Sequence, residues 1–284
     1  MTTTHAPDVL PFASQVALLR GAPWRRLAVL GDSIAEGVRE PYPGYRDISW
    51  IDRIAEPLHA VVPGLTVMNL GTRDLLAREV RARQLGAAIG FHPDLAIVAA
   101  GGNDALGRSF VPEHVAAELE AIVGPLRREG ADVLMIELLD IVASGLVPAD
   151  HAGPLDDRMR ALAEVTRAVA DRHGALLVEM RGHPASADPD IYSSDRLHLN
   201  ARGHAIVGSE AVRVLSAAVR GSTRQPETPG DGPIAIELSD EEVLADLCWP
   251  HPPPGRWPLE GEKSASIDAL PRSAPPADRR RRAA

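Results

Sequence analysis

Through its first 220 residues the chain alternates short, wholly apolar runs with longer amphipathic segments, and few architectures accept that order. Five runs read as strands buried on both faces: 27–30, 66–70, 95–100, 132–139 and 176–180. Helical patterns lie between and after them. The clearest places Val115, Leu119, Ile122 and Leu126 along one helical face. Others run over about 75–89, 155–169 and 201–219. Strand alternating with helix requires right-handed crossovers and a parallel sheet covered on both sides. The expected fold is therefore α/β, a three-layer α/β/α sandwich around a five-stranded parallel sheet.

Composition narrows the function classes. The apolar share of 45% is enough for one sizeable core in 284 residues, and no apolar run approaches the roughly 20 residues that span a bilayer. No membrane role is expected. The start of the chain, Met1 to Leu10, lacks a cationic stretch followed by an apolar segment, so the expected location is cytoplasmic. A single cysteine, Cys248, supports neither an internal disulfide nor a zinc site. A formal charge of -9 argues against a nucleic-acid partner, and the one basic block, Arg279 to Arg282, reads as a solvated tail.

The composition changes near residue 221. Eleven of the 25 prolines fall in the 64 residues from there onward. The expected organisation is a lead-in over 1–23, a catalytic domain over 24–220 and a Pro-rich, largely disordered extension over 221–284. One short helix is expected within 234–248 of that extension, and its partner, if it has one, is not legible.

In open α/β sheets ligands bind beyond the carboxyl ends of the strands, so the residues that follow each strand carry the functional reading. The first strand runs into Gly31, Asp32 and Ser33, the second into the stretch from Asn69 to Asp74, and the third into Gly101, Gly102, Asn103 and Asp104. Asp195 and His198 precede the last helix. A serine on a glycine-preceded turn at a helix start has an exposed hydroxyl and a free amide, which suits a nucleophile; the same residues also suit a plain N-cap. A carboxylate three residues before an imidazole can fix its tautomer, although a surface aspartate and a helix-start histidine have the same spacing. Asn103 offers an N–H donor to an oxyanion, or is simply a turn residue. His92, His114 and His173 are isolated, and His204 stands six residues after His198, which is no metal-ligand spacing. No metal and no cofactor is expected, because dinucleotide and phosphate-loop glycine patterns are missing.

Taken in order, Gly-Asp-Ser, then Gly-x-Asn-Asp, then Asp-x-x-His resemble the sequence blocks of the SGNH hydrolase (GDSL esterase/lipase) family. The resemblance covers about 24–219 and extends to Trp50, Asp52, Arg73, Pro93, Asp94, Asn200, Gly203 and His204. It implies a flavodoxin-like sheet of strand order 2-1-3-4-5. It makes Ser33 the nucleophile, His198 the general base and then acid, and Asp195 its orienting carboxylate. Asn103 and the Ser33 N–H would form part of the oxyanion hole. The family's remaining donor is a glycine N–H five residues after the asparagine of the second block, and that position here is Asp74. A carboxylate there opposes an oxyanion unless it turns away or is paired by Arg73 or Arg78, and Gly71 is the substitute donor.

Tyr42 and Tyr45, among prolines in the loop over 39–46, are candidates to line the substrate pocket; Trp50 reads as core. The function implied is a serine ester hydrolase, carboxylesterase, lipase-like or thioesterase, acting on a small acyl ester through an acyl-enzyme. Two alternatives remain open at this point: an acyltransferase using the same triad, and a catalytically impaired binding or scaffold protein.

Overall fold

A computed structural model describes residues 9–222. The helix expected within 234–248, the basic block and nearly all of the expected extension lie outside the described residues.

Five strands, β1 (Arg26–Gly31), β2 (Thr66–Asn69), β3 (Leu95–Ala99), β4 (Asp132–Ile136) and β5 (Leu176–Val178), form one parallel sheet in the order β2-β1-β3-β4-β5. This is the expected topology. The central strands β1 and β3 are buried almost throughout, whereas the edge strands β2 and β5 are only partly covered, which is why the middle runs are the most apolar.

Two helical layers cover the sheet. On one side α3 (Trp50–Val61) packs on α8 (Ala201–Ser222); on the other, α4 (Ala77–Gly90) packs on α6 (Pro112–Arg128), and α6 on α7 (Ala149–His173). The face read from sequence on α6 is the buried one, with Val115, Leu119, Ile122 and Leu126 all in the core. α3 begins at a full capping box, in which Ser49 Oγ accepts from the Asp52 N–H and Asp52 accepts from the Ser49 N–H. Two short helices, α2 (Ser33–Glu36) and α5 (Gly102–Leu106), follow β1 and β3 directly.

The packed unit begins earlier than Trp24. Helix α1 (Phe12–Leu18) docks on α3 and α8, Leu19 is fully buried, and the Leu10 N–H donates to Ser209 Oγ at 2.8 Å. The lead-in is thus part of the sandwich from about residue 10. β4 is shorter than the expected 132–139, because the apolar residues past Ile136 line a cavity instead of continuing the sheet.

β1 and β3 pair in register as far as Gly31 and Ala99. Gly31 has φ 149°, and a Cβ on it would lie 1.9 Å from the Ala99 carbonyl oxygen. No side chain fits. Gly31→Ala should therefore cost about 3 kcal/mol or more in urea denaturation, and a loss below about 1 kcal/mol would contradict this packing.

Candidate active site

The turn after β1 is fixed from two sides. The buried Gln84 side chain of α4 accepts from the Gly31 N–H at 2.8 Å and donates to the Gly31 carbonyl at 2.9 Å, and the Asp32 N–H donates to the Ala99 carbonyl at 3.2 Å. Asp32 then caps α2, its Oδ1 accepting from the Ile34 N–H at 3.0 Å. Ser33 is consequently the first residue of α2, 7% exposed, with its hydroxyl toward the carboxyl end of the sheet.

The loop before α8 brings the second half of the site. Ser33 Oγ lies 2.8 Å from His198 Nε2, and His198 Nδ1 lies 2.6 Å from Asp195 Oδ2. Asp195 Oδ1 also accepts from the Leu197 and His198 amides, at 2.9 and 3.0 Å. Burial pushes the Asp195 carboxyl up, but the His198 ring and these two amides outweigh it and hold it below the usual carboxylate range. Asp195 is therefore ionised at neutral pH. The His198 Nδ1–H donates to it, which leaves Nε2 as the acceptor facing the serine hydroxyl. Such a chain moves a proton from hydroxyl to imidazole as the serine oxygen forms a new bond.

His198 is held by groups that sequence reasoning gave no role. Asn200 donates from Nδ2 to the Asp190 and Tyr192 carbonyls at 2.8 and 3.0 Å, and its Oδ1 accepts from the Arg202 and Gly203 amides. The Ser193 N–H donates to the His198 carbonyl at 2.7 Å. His204 is 2% exposed; its Nδ1 accepts from the Trp50 N–H at 3.0 Å, so its Nε2–H donates to the Val38 carbonyl at 3.1 Å. Burial pushes its imidazole down to about 3, which fixes that neutral tautomer. Trp50, buried as expected, also donates from Nε1 to the Ile34 carbonyl at 2.8 Å. Of Ser193, Asn200 and His204, only His204 lies within a helix, where a polar side chain among the buried residues of α8 is the available signal; Ser193 and Asn200 sit in the loop before α8 and carry none.

The loop after β2 runs beside α2. Arg73 grips Glu36 through its main-chain N–H at 2.7 Å and its guanidinium at 2.6 Å. A Cβ on Gly71 would lie 2.3 Å from the Glu36 nitrogen, so glycine is needed for that contact. The Gly71 N–H donates to Asn69 Oδ1 at 2.8 Å, and the substitute oxyanion donor suggested by sequence is thereby engaged elsewhere. Asp74 has φ 65°, the left-handed region natural to glycine, and the residue is exposed to solvent. Asn103 donates one Nδ2–H to the Leu75 carbonyl at 3.0 Å, which ties its amide to the same loop.

A cavity opens beside Ser33 and His198, lined mainly by apolar side chains, among them Leu138, Leu139 and Ile141 after β4, Met159 of α7 and Val207 of α8. Tyr42 and Tyr45 are not among its lining residues. They stack edge-to-face on each other with centroids 6.0 Å apart, so the expectation that they line the pocket is corrected: aromatic self-packing satisfies them.

Asp32 lines this cavity and is 1% exposed, and among the described residues its Oδ2 has no hydrogen-bond partner. Burial, partly opposed by the Ile34 amide and by His198, raises its carboxyl to about 7. The folded chain thus keeps this proton up to about pH 7, while an unfolded aspartate releases it near about 4, so stability falls as pH rises across that window. Asp32→Asn keeps the acceptor for Ile34 and removes the titration. Its stability advantage over the parent should grow by about 2–3 kcal/mol between about pH 5 and pH 8 in urea unfolding, and parallel curves would contradict the assignment.

A comparison with curated proteins returns no match. Among solved structures, the α/β hydrolase LAE5 from the metagenome of Lake Arreo, Spain, superposes with TM-score 0.55 at 22% identity, covering 70% of this chain and 97% of that one. Axe2, an acetylxylan esterase from Geobacillus stearothermophilus, superposes with TM-score 0.55 at 20% identity, covering 67% and 94%. These likenesses show the fold. The profile of the GDSL-like lipase/acylhydrolase family matches residues 29–206, which span every block that builds the site. The chain belongs to the GDSL-like lipase/acylhydrolase family and is a serine hydrolase of ester bonds.

Proposed function

We propose that the protein cleaves carboxylic esters through an acyl-enzyme. Ser33 Oγ attacks the ester carbonyl carbon while His198 Nε2 takes its proton, and ionised Asp195 orients and stabilises the imidazolium. Collapse of the tetrahedral intermediate breaks the bond to the alcohol, which leaves with the proton from His198. Water, activated by the same imidazole, then releases the acid and restores Ser33. The observation that carries this reading is the unbroken hydrogen-bonded chain from Ser33 through His198 to Asp195, at 2.8 and 2.6 Å.

The oxyanion is assigned to the Ser33 N–H, the Asp74 N–H and the second Nδ2–H of Asn103. The glycine-like backbone of Asp74 supports its inclusion: the position keeps the conformation of a glycine while its exposed side chain sits in solvent, where water and salt weaken its field. The neutral form of Asp32 spares the developing oxyanion a second, buried negative charge. The solved catalytic mutants of Axe2 replace a serine, and an aspartate and a histidine three residues apart, the spacing of Asp195 and His198 here.

The test is hydrolysis of p-nitrophenyl esters by the parent and by single variants. Ser33→Ala and His198→Ala should each lower kcat by at least about 10³-fold, and Asn103→Ala by about 10²–10³-fold with a smaller effect on KM. Parent-level turnover by folded Ser33→Ala would overturn the mechanism; an unaffected Asn103→Ala would remove that residue from the oxyanion hole.

A further inference from the structure

The cavity beside the triad is apolar except at a few points, and most of those points are paired within the protein. Trp50 Nε1 donates to the Ile34 carbonyl, and both ring nitrogens of His204 are engaged. Glu137 meets Arg167 in an ion pair, so its charge is answered from within. Apart from the triad and the oxyanion donors, two groups on the wall are left over. The Tyr192 hydroxyl and Asp32 Oδ2 are both buried, and among the described residues neither has a hydrogen-bond partner.

Tyr192 is held by the clamp that holds the imidazole. Its carbonyl accepts from Asn200 Nδ2 at 3.0 Å, its main chain bridges to that of Leu199, and the residue is 7% exposed. Burial pushes its hydroxyl up, and Asp140 pushes it the same way, so the phenol keeps its proton and is a permanent donor. Asp32 Oδ1 accepts from the Ile34 N–H, so a proton on that carboxyl belongs on Oδ2. Of the two, only the phenol holds its proton across the whole neutral range. A hydrocarbon guest would dry both groups and pair neither, whereas an oxygen with free lone pairs satisfies the donor it meets. That guest is neutral: among the described residues no lysine or arginine lines the cavity to meet an anion, and Glu137 already has its cation.

From this geometry we infer that the cavity receives a neutral, oxygen-bearing part of the substrate, a ketone or similar acceptor set apart from the scissile ester, and that the Tyr192 hydroxyl is the donor that selects it. The inference rests on the serine hydrolase reading above and deepens it. Tyr192 takes no part in making or breaking the ester bond; it determines which ester is held beside Ser33. A site built to hydrogen-bond one substrate group discriminates against the analogue that lacks it, because the buried donor is then left unpaired.

The experiment compares matched esters with the full chain, Ser33→Ala and Tyr192→Phe. One arm varies the acid, with p-nitrophenyl hexanoate, 4-oxohexanoate and 5-oxohexanoate; the other varies the alcohol, with hexyl, 4-oxohexyl and 5-oxohexyl acetate. Each kcat/KM is divided by the ester's rate with hydroxide, which removes differences in intrinsic reactivity. In the parent, a ketone ester of one arm should exceed its hydrocarbon counterpart by about tenfold, and the arm that responds identifies the side of the ester that enters the cavity. In Tyr192→Phe, with its fold checked by thermal melting, that ratio should fall to within about twofold of one. A general structural defect lowers both esters alike and leaves the ratio where it was. No ketone preference in either arm overturns the inference while leaving the serine chemistry intact, and so does a preference that survives in folded Tyr192→Phe. If that variant does not fold, the parent series decides alone. Release that persists in Ser33→Ala counts against the hydrolase reading, so the two failures are distinguishable.

Discussion

The close approach of β1 to β3 at Gly31 governs the rest of the site. With no room for a side chain against the Ala99 carbonyl, and with Gln84 bonded to both the N–H and the C=O of Gly31, the main chain leaves the sheet along one path. That path makes Asp32 a buried cap and Ser33 the first helical residue. A serine so placed cannot drift relative to the sheet. The nucleophile's position is thus a property of backbone packing two residues upstream.

The imidazole is held by a separate framework that meets the first one at Ser33. Asn200 bonds both sides of the loop, the Ala201 N–H donates to the Glu40 carbonyl at 2.8 Å, and His204 ties α8 to the start of α3 and to Val38. Trp50 closes the circuit by bonding α2 itself. The triad distances therefore arise from two rigid pieces of backbone and not from flexible side chains reaching across a gap. Charge is arranged with equal economy: Asp195 ionised by its partners, Asp32 kept neutral to about pH 7 by burial, and His204 neutral throughout.

Much of this is legible in the sequence. The five apolar runs and the face of α6 follow from periodicity, while the sheet order and the roles of Ser33, Asn103, Asp195 and His198 follow from the family resemblance that the three short motifs carry. What was not legible has physical reasons. Leu138, Leu139 and Ile141 look like strand residues because a sheet core and a pocket wall need the same side chains. Tyr42 and Tyr45 look like pocket residues because an aromatic pair that packs on itself has the same composition. Gln84 is an unremarkable polar residue on a helix until the sheet places Gly31 against it. The helix before Trp24 is not legible in the sequence, because seven residues give too little periodicity to reveal a buried face. Asp74 breaks the family pattern in residue type yet keeps a glycine's backbone, a distinction that only φ reveals.

The central claim is that Ser33 is a nucleophile activated by His198. It is tested most directly by incubating the full chain with a fluorophosphonate and locating the covalent adduct by peptide mass spectrometry. The account predicts one adduct, on Ser33, formed at least about 10²-fold more slowly in His198→Ala and absent from Ser33→Ala. An adduct on another residue, or labelling of Ser33 at the same rate without His198, would contradict it.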